Sequence, residues 1–242
     1  MKTAFISDVH GNLEAFTSVC ESIKQEHVDR IVFLGDIVGY GANPNECIEL
    51  LQSLTNYAAA GNHDWAAAGR QSAHAFNAFA AEALEWTRAT LTRENMLFLR
   101  SLPLSLDMRE FLGVHASPSM PDRWRYVFNA LDAEAVFGTF SHRLCFIAHT
   151  HCPVIFEKLV DAPVVPEFPA MAAFHPCGRY IINCGSVGQP RDGDPRASYG
   201  VYDTSDNRYH LVRVEYDLLS VQKKIRRAGL PDYLAYRLSV GR

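Results

Sequence analysis

Residues 3–10 read TAFISDVH, a short apolar run that ends in Asp8 and His10, and this pattern recurs along the chain. Short runs rich in Ile, Val and Phe predict buried strands. The later runs are RIVFL at 30–34 before Asp36, EFLGV at 110–114 before His115, LCFI at 144–147 before His149, and RYIIN at 179–183 before Ser186. Because open α/β sheets bind ligands at the carboxyl ends of their strands, the polar residues after these runs mark a candidate site.

Helical patterns separate the predicted strands. One helix opens at Asn12, which suits an N-cap, and places Leu13, Phe16, Val19, Cys20 and Ile23 on one face. Further helices are predicted over 43–54, 73–91, 93–99 and 218–228, and a hairpin over 198–203 and 209–216. Helix–strand alternation followed by a strand-rich second half predicts two sheets packed together with helices outside.

The chain of 242 residues is predicted to form one domain, residues 1–242, because no Pro/Gly/Ser-rich linker divides it. An alanine-rich segment at about 65–107 is interpreted as a helical insertion that covers the flank of the site. The proline-rich segment at about 157–178 has few periodic positions and is interpreted as an irregular arm.

Composition limits the class of protein. A hydrophobic fraction of 48% and a charged fraction of 21% exclude a mainly disordered chain. A net charge of −4 gives no general attraction to nucleic acid or anionic membranes, so neither is an expected partner. The N-terminus lacks the apolar stretch of about 7–15 residues that a secretory signal needs. We therefore expect a cytoplasmic protein whose six cysteines, none in a Cys-x-x-Cys pair, are reduced.

Together the polar clusters offer oxygen and nitrogen ligands for a metal ion and no sulfur ligand. They are Asp8 with His10, Asp36, the GNHD sequence at 61–64, His115, and His149 with His151. Carboxylate, imidazole and carboxamide groups favour manganese, iron, zinc, cobalt or magnesium over soft metals. Residues i and i+2 of an extended segment point to one side, so each of the two spaced pairs is expected to converge.

In these motifs the chain resembles the calcineurin-like metallophosphoesterases. The family pattern of Asp-x-His, Gly-Asp, Gly-Asn-His-Asp/Glu, a lone His and Gly-His-x-His reads here as DVH at 8–10, GD at 35–36, GNHD at 61–64, VHA at 114–116 and AHTH at 148–151. DVHGNLEA near the start and NCGSVGQPRDGD near the end look like the compact prokaryotic branch. Ala148 departs from the usual Gly, which matters only if that backbone needs a positive φ. The resemblance implies a four-layer αββα sandwich of two mixed sheets flanked by helices.

The resemblance also implies a site with two divalent metal ions. Asp8, His10, Asp36 and His151 would hold one ion, and Asp36, Asn62, His115 and His149 the other. His63 would protonate the leaving group or stabilise the transition state. Manganese is the expected metal, with iron, zinc, cobalt and magnesium as alternatives. Asn12 and Arg191 are the candidate substrate-binding residues.

The function implied is hydrolysis of a phosphodiester, a phosphomonoester or a nucleotide phosphoanhydride by direct attack of a metal-bridging hydroxide. The expected partner is a small phosphorylated, nucleotide-like substrate, and the oligomeric state is left open. The tail is also similar to that of diadenosine tetraphosphatase-like members, which makes dinucleotide polyphosphates an alternative. A protein phosphatase is disfavoured because the related protein phosphatases have a Gly-Asp-x-x-Asp-Arg motif, whereas Gly35-Asp36 is followed here by IVGYG. The alternative from another class is a non-catalytic scaffold with the same fold.

Overall fold

The structure is a computed structural model that describes residues 1–72 and 76–242. It contains two mixed β-sheets, as the sequence predicted. The first sheet is formed by β1 (Lys2–Ile6), β2 (Arg30–Phe33), β8 (Met171–Ala173), β10 (Ala197–Asp203) and β11 (Arg208–Val214). Its strand order is β2-β1-β10-β11-β8, in which the β1–β2 pair is parallel and the other pairs are antiparallel.

The second sheet has six strands. They are β3 (Ser105–Asp107), β4 (Leu112–Val114), β5 (Leu144–Ile147), β6 (Val154–Lys158), β7 (Val165–Glu167) and β9 (Arg179–Asn183). The order is β3-β4-β5-β9-β6-β7, and the central strands β4, β5 and β9 run parallel. The loops that follow these three strands therefore leave the sheet at the same end.

Helices cover the outer faces of both sheets. They are α1 (Leu13–Gln25), α2 (Pro44–Leu54), α3 (Asn62–Ala67), α4 (Ala78–Thr90), α5 (Arg93–Ser101), α6 (Ala130–Phe137), α7 (Leu218–Arg227) and α8 (Asp232–Tyr236). Side chains of α1 and α2 pack on the first sheet, and those of α6 pack on the second. The resulting order of layers is helix, sheet, sheet, helix, in agreement with the expected fold.

The period of two along the strands explains this layering. In β1, Phe5 faces the second sheet, whereas Ala4 and Ile6 face the helices. The Phe5 ring stacks on Phe146 of β5, with 3.6 Å between ring centroids, and meets Phe111 edge-on at 4.9 Å. These buried aromatic rings hold the two sheets together.

Two segments differ from the sequence predictions, and the C-terminal segment agrees with them. The helix predicted over 73–91 is observed as α4 from Ala78, and residues 73–75 lie outside the described residues. The segment at 157–178 contains β7 and β8, two strands that the sequence did not indicate. Because β7 is an edge strand of the second sheet and β8 is an edge strand of the first, the chain crosses from one sheet to the other within this segment. The C-terminal hairpin and α7 are confirmed.

All six cysteines are free, as predicted, and four of them are buried. Among the described residues, the helices are too short or too polar for any of them to cross a membrane.

Candidate metal centre

The loops after β1 and β5 bring together a first cluster of possible ligands. The Oδ1 atom of Asp8 lies 3.3 Å from Nε2 of His151 and 3.8 Å from Nε2 of His10. The two Nε2 atoms are 3.2 Å apart. All three side chains are buried, so one carboxylate and two imidazoles converge on a small volume away from solvent.

A second cluster forms around the loops after β2, β4 and β5. The Nε2 atom of His115 lies 3.2 Å from Oδ2 of Asp36, 3.2 Å from Nδ1 of His149 and 3.2 Å from Oδ1 of Asn62. Asp36 also approaches the first cluster, since its Oδ2 lies 3.7 Å from Nε2 of His10. One carboxylate oxygen thus stands between the two groups of ligands.

Backbone carbonyl groups orient three of the imidazoles. Each donates from Nδ1 to a main-chain oxygen, which directs the lone pair of Nε2 into the cluster. The pairs are His10 with Val38 (3.0 Å), His115 with Leu34 (2.8 Å) and His151 with Gln189 (2.6 Å). A carbonyl partner on the far nitrogen is the arrangement found behind metal-bound histidines.

Several features of the two clusters fit divalent ions. Oδ1 of Asp8 is buried without a hydrogen-bond partner, although it faces two imidazole nitrogens. Burial lowers the pKa of His10, His149 and His151 well below the usual range, so these side chains are neutral and able to bind a metal. A cation between these groups would satisfy lone pairs that otherwise face one another.

Burial and neighbouring charged groups shift the pKa values of Asp8, Asp36 and His115. Burial raises the pKa of Asp8 to about 7. Burial also acts to raise the pKa of Asp36, but the imidazoles of His115, His63 and His10 outweigh it and hold that pKa well below the usual range. For His115 burial acts to lower the pKa, and the adjacent Asp36 carboxylate outweighs it and raises the pKa to about 9. A bound cation would replace the proton that His115 shares with Asp36.

The ligand-bearing loops have an unusual backbone. Asp8, His10, Asp36, His149 and His151 all have a positive φ, between 50° and 69°. The spaced pairs therefore do not converge through an extended segment, as their spacing had suggested, and His149 and His151 enter different clusters. Asp and His tolerate this left-handed region better than most residues, and such strain is concentrated at functional sites. Ala148 does not have a positive φ, so the absence of Gly there causes no strain.

Asp64 is a structural residue of the centre to which the sequence analysis gave no role. Its Oδ1 accepts the backbone N–H groups of Ile37 (3.0 Å) and Val38 (3.3 Å), and its Oδ2 accepts those of Asp36 (2.8 Å) and Gly61 (2.9 Å). The bond to Gly61 ties the side chain of Asp64 to the N-cap residue at the start of α3; Gly61 has no side chain to return a bond, so the sequence does not carry the usual capping-box signature. Asp64 thus holds the Asp36 loop against the first turn of α3.

His63 lies beside both clusters and on the wall of a cavity. Its backbone N–H donates to Oδ1 of Asp36 at 2.8 Å, and its ring packs against Tyr40 and Phe76 at 4.6 Å and 4.7 Å. The ring atom Nδ1 is buried without a partner and faces Gly39, where a Cβ atom would lie 2.4 Å from it. Burial lowers the pKa of His63 to about 4.

A cavity of about 230 Å³ opens onto the two clusters. Asp36, Asn62, His63, His149 and His151 line its floor, and Arg191, a candidate substrate-binding residue, lies on one wall. Asn12 lies outside this cavity. Its Oδ1 accepts from Ala15 at 3.0 Å as the cap of α1, and its Nδ2 donates to the carbonyl of Gly188 at 2.9 Å.

Trp124 and Tyr126 add an aromatic part to the cavity lining, and the sequence gave no signal for it. Tyr126 stacks on His149 with 4.0 Å between ring centroids, and Phe128 stacks on Tyr126 at 4.7 Å. Trp124 meets His115 edge-on at 6.0 Å and hydrogen-bonds Gln71. These residues follow the β4 loop, and only the tertiary fold places them over the centre.

Comparisons with known proteins show the family and the fold of the chain. The calcineurin-like phosphoesterase superfamily domain matches residues 1–207. An uncharacterized protein of Methanocaldococcus jannaschii is 39% identical over 249 residues, covering 99% of this chain and 98% of that protein. The crystal structure of a metallophosphoesterase from Sphaerobacter thermophilus is 43% identical, with a TM-score of 0.87 over 100% of this chain and 99% of the other. A hypothetical protein from Pyrococcus horikoshii, 22% identical, has the same fold, with a TM-score of 0.80 over 100% and 98% of the two chains.

Proposed function

Because the chain belongs to the calcineurin-like phosphoesterase superfamily and is a hydrolase of phosphoric ester bonds, we propose that it uses two divalent metal ions to hydrolyse a phosphodiester, a phosphomonoester or a nucleotide phosphoanhydride. The observation that carries this proposal is the position of Asp36. Its Oδ2 lies 3.7 Å from Nε2 of His10 and 3.2 Å from Nε2 of His115. A carboxylate in this place can bind one ion on each side.

The proposed ligands follow the two clusters. One ion is held by Asp8, His10, Asp36 and His151, and the other by Asp36, Asn62, His115 and His149. In support, the ligand atoms of Asp8, His10 and His151 all lie within 4.8 Å of one another, and so do those of Asp36, His115 and His149. The oxygen and nitrogen donors suit manganese, the metal we propose, and also iron, zinc, cobalt and magnesium.

When bound, two divalent ions supply activated water near neutral pH and neutralise charge on the phosphate. Among the proposed ligands only Asp8 and Asp36 are carboxylates, so two dications bound there would outweigh the negative charge of their ligands. The excess positive charge attracts the phosphate of the substrate into the cavity. Arg191 on the cavity wall adds a guanidinium group, whose fork of N–H donors matches phosphate oxygens.

We assign His63 to the leaving group. It lines the cavity beside Asp36, and its Nδ1 atom is enclosed against Gly39 without a partner, so the N–H group offered to a substrate would be that of Nε2. An imidazole in this place carries an N–H group that can donate to an oxygen of the phosphate or of the leaving group. The enclosing rings of Tyr40 and Phe76 fix the orientation of His63 and exclude water from its sides.

The test combines metal analysis with hydrolysis of bis-p-nitrophenyl phosphate. Protein loaded with manganese should contain two ions per chain and hydrolyse this substrate, and prior chelation should abolish the activity. Asp36→Asn should lower kcat/KM at least about 100-fold, since removing a group that merely orients a ligand already costs about 10–100-fold. Asp161→Asn is the matched control, because Asp161 is exposed in the 157–178 segment.

Two results would overturn the proposal. One is full activity of Asp36→Asn under metal-limited conditions. The other is wild-type protein that binds no metal and hydrolyses no phosphate ester, which would favour a non-catalytic scaffold. Hydrolysis of phosphorylated peptides in preference to small esters would instead select the protein-phosphatase alternative.

A further inference from the structure

A second cavity, of about 320 Å³, adjoins the one over the metal centre. The two cavities share Tyr40, Asn77 and Arg191, so a ligand in one can extend into the other. The outer walls of the second cavity come from the start of α4 and from the C-terminal residues 233–237. These C-terminal residues lie beyond the part of the chain that matches the superfamily domain, residues 1–207.

Neither of two arginines in the second cavity pairs with an Asp or Glu side chain among the described residues. Arg191 donates from Nε and Nη2 to the neutral Oε1 of Gln189, at 3.3 Å and 2.8 Å. Arg237 donates from Nε to the main-chain oxygen of Arg242. By contrast, Arg213 on the nearby surface pairs with Asp192.

The two guanidinium groups face the same aromatic ring. Their Cζ atoms lie 5.8 Å (Arg191) and 6.0 Å (Arg237) from the centroid of Tyr40. Burial and the neighbouring Arg191 lower the pKa of Arg237. Two partly buried cations beside one ring repel each other, and an anion bound between them would remove this electrostatic repulsion.

An aromatic platform completes the cavity. Phe79 and Tyr233 stack on each other with 4.9 Å between ring centroids, and they remain 44% and 45% exposed. Cζ of Arg237 lies 5.4 Å from the centroid of Tyr233. An exposed stacked pair beside a cation is a surface on which a flat base can stack.

We infer that the second cavity is a subsite for a nucleoside polyphosphate. Arg191 and Arg237 hold the phosphate next to the scissile one, and the base stacks on Tyr233 and Phe79. The inference rests on the proposed function and narrows its substrate class to phosphoanhydrides. In such a hydrolysis the oxygen of water bonds to the scissile phosphorus and the bridging P–O bond breaks. The nucleotide in the second cavity leaves with the bridging oxygen and its electron pair.

The first test compares the hydrolysis of two substrates by wild-type protein and by a variant that lacks the charge of Arg237. Metal-loaded protein is assayed with ADP, which carries an adjacent phosphate and a base, and with bis-p-nitrophenyl phosphate, which carries neither. Arg237→Gln should lower the ratio of kcat/KM for ADP to that for the diester by about 10–100-fold, the effect of one charge-assisted hydrogen bond. The matched control is Arg227→Gln on the exposed side of α7, which should leave the ratio within about twofold, as a screened surface charge does.

The second test measures binding without metals. Calorimetry of metal-free protein with ADP and with inorganic pyrophosphate should show weaker binding of both to Arg237→Gln. Tyr233→Leu should weaken binding of ADP about 5–100-fold more than binding of pyrophosphate, because only ADP has a base to stack. Tyr236→Leu is the control, since Tyr236 is on the same helix and 57% exposed outside the cavity lining.

The outcomes separate the two proposals. If metal-loaded protein hydrolyses neither substrate, the proposed function fails, and binding of ADP to the metal-free variants still decides the subsite. If the diester is hydrolysed but Arg237→Gln changes neither the ratio nor the binding of ADP, the subsite is refuted. Failure of wild-type protein to bind ADP at low salt refutes it as well.

Discussion

Replacing Asp64 by Asn should destabilise the protein more than any other single change of a carboxylate to an amide outside the metal ligands. The carboxylate accepts four backbone N–H groups, those of Asp36, Ile37, Val38 and Gly61, within 2.8–3.3 Å. An amide has one oxygen, so one pair of N–H groups keeps its acceptor and the other pair faces an NH₂ group. The buried donors that lose their partner are then unsatisfied.

The magnitude follows from the two lost bonds. A hydrogen bond to a charged group contributes about 1.5–3 kcal/mol, so Asp64→Asn should lower the free energy of unfolding by about 3–6 kcal/mol. For a chain of this size, a change of 1 kcal/mol shifts Tm by about 2–4 °C, so the expected fall in Tm is roughly 6–24 °C. Whichever pair is released, it includes at least one N–H group of the loop that carries Asp36, so metal affinity should fall as well.

Thermal unfolding followed by circular dichroism in the presence of a chelator measures the effect without a contribution from bound metal. Asp161→Asn makes the same chemical change at an exposed site and should shift Tm by no more than about 2 °C. A Tm for Asp64→Asn within 2 °C of wild type would refute the reasoning, because it would mean that the two backbone bonds lost in this variant contribute nothing net.

Two further predictions concern the leaving-group side of the centre. His63→Ala should lower kcat about 10²–10⁴-fold while the metal content stays at two ions. Loss of metal in that variant would instead place His63 among the ligands, as its closeness to His10 and Asp36 permits. Gly39→Ala should also lower kcat, because φ is +95° at Gly39 and the new Cβ would lie 2.4 Å from Nδ1 of His63. Its control is Gly138→Ala, which meets no atom within 4 Å, and equal kcat for the two variants would contradict the prediction.

The sequence predicted most of the fold and most of the polar side chains that the structure brings together at the candidate centre, because both follow from local patterns. Buried strands are short apolar runs, and the polar residues after β1, β2, β4 and β5 stand where parallel strands end. The helix cap at Asn12 and the C-terminal hairpin depend on neighbours in sequence and were predicted too. The short strands β7 and β8 were missed because each has only three residues and no buried apolar face, and β7 also contains Pro166.

Features that depend on distant residues could not be predicted. The four bonds of Asp64 include three to a loop about 27 residues earlier in the chain. Tyr126 reaches His149 only because the loop after β4 folds back over the centre. Arg237 and Arg191 meet at Tyr40 from segments with no shared pattern. In each case the signal is a tertiary contact, which composition and periodicity do not encode.

The left-handed backbone at five of the ligand positions also constrains how this protein can change over evolution. A substitution at Asp8, His10, Asp36, His149 or His151 must satisfy two demands at once, a metal-binding side chain and a conformation that costs most residues about 1–3 kcal/mol. Glycine would relieve the strain but remove the ligand, whereas β-branched residues would fail both demands. At these positions the residues that favour metal binding therefore lower stability. A lineage that lost catalysis could accumulate glycine there without a functional penalty.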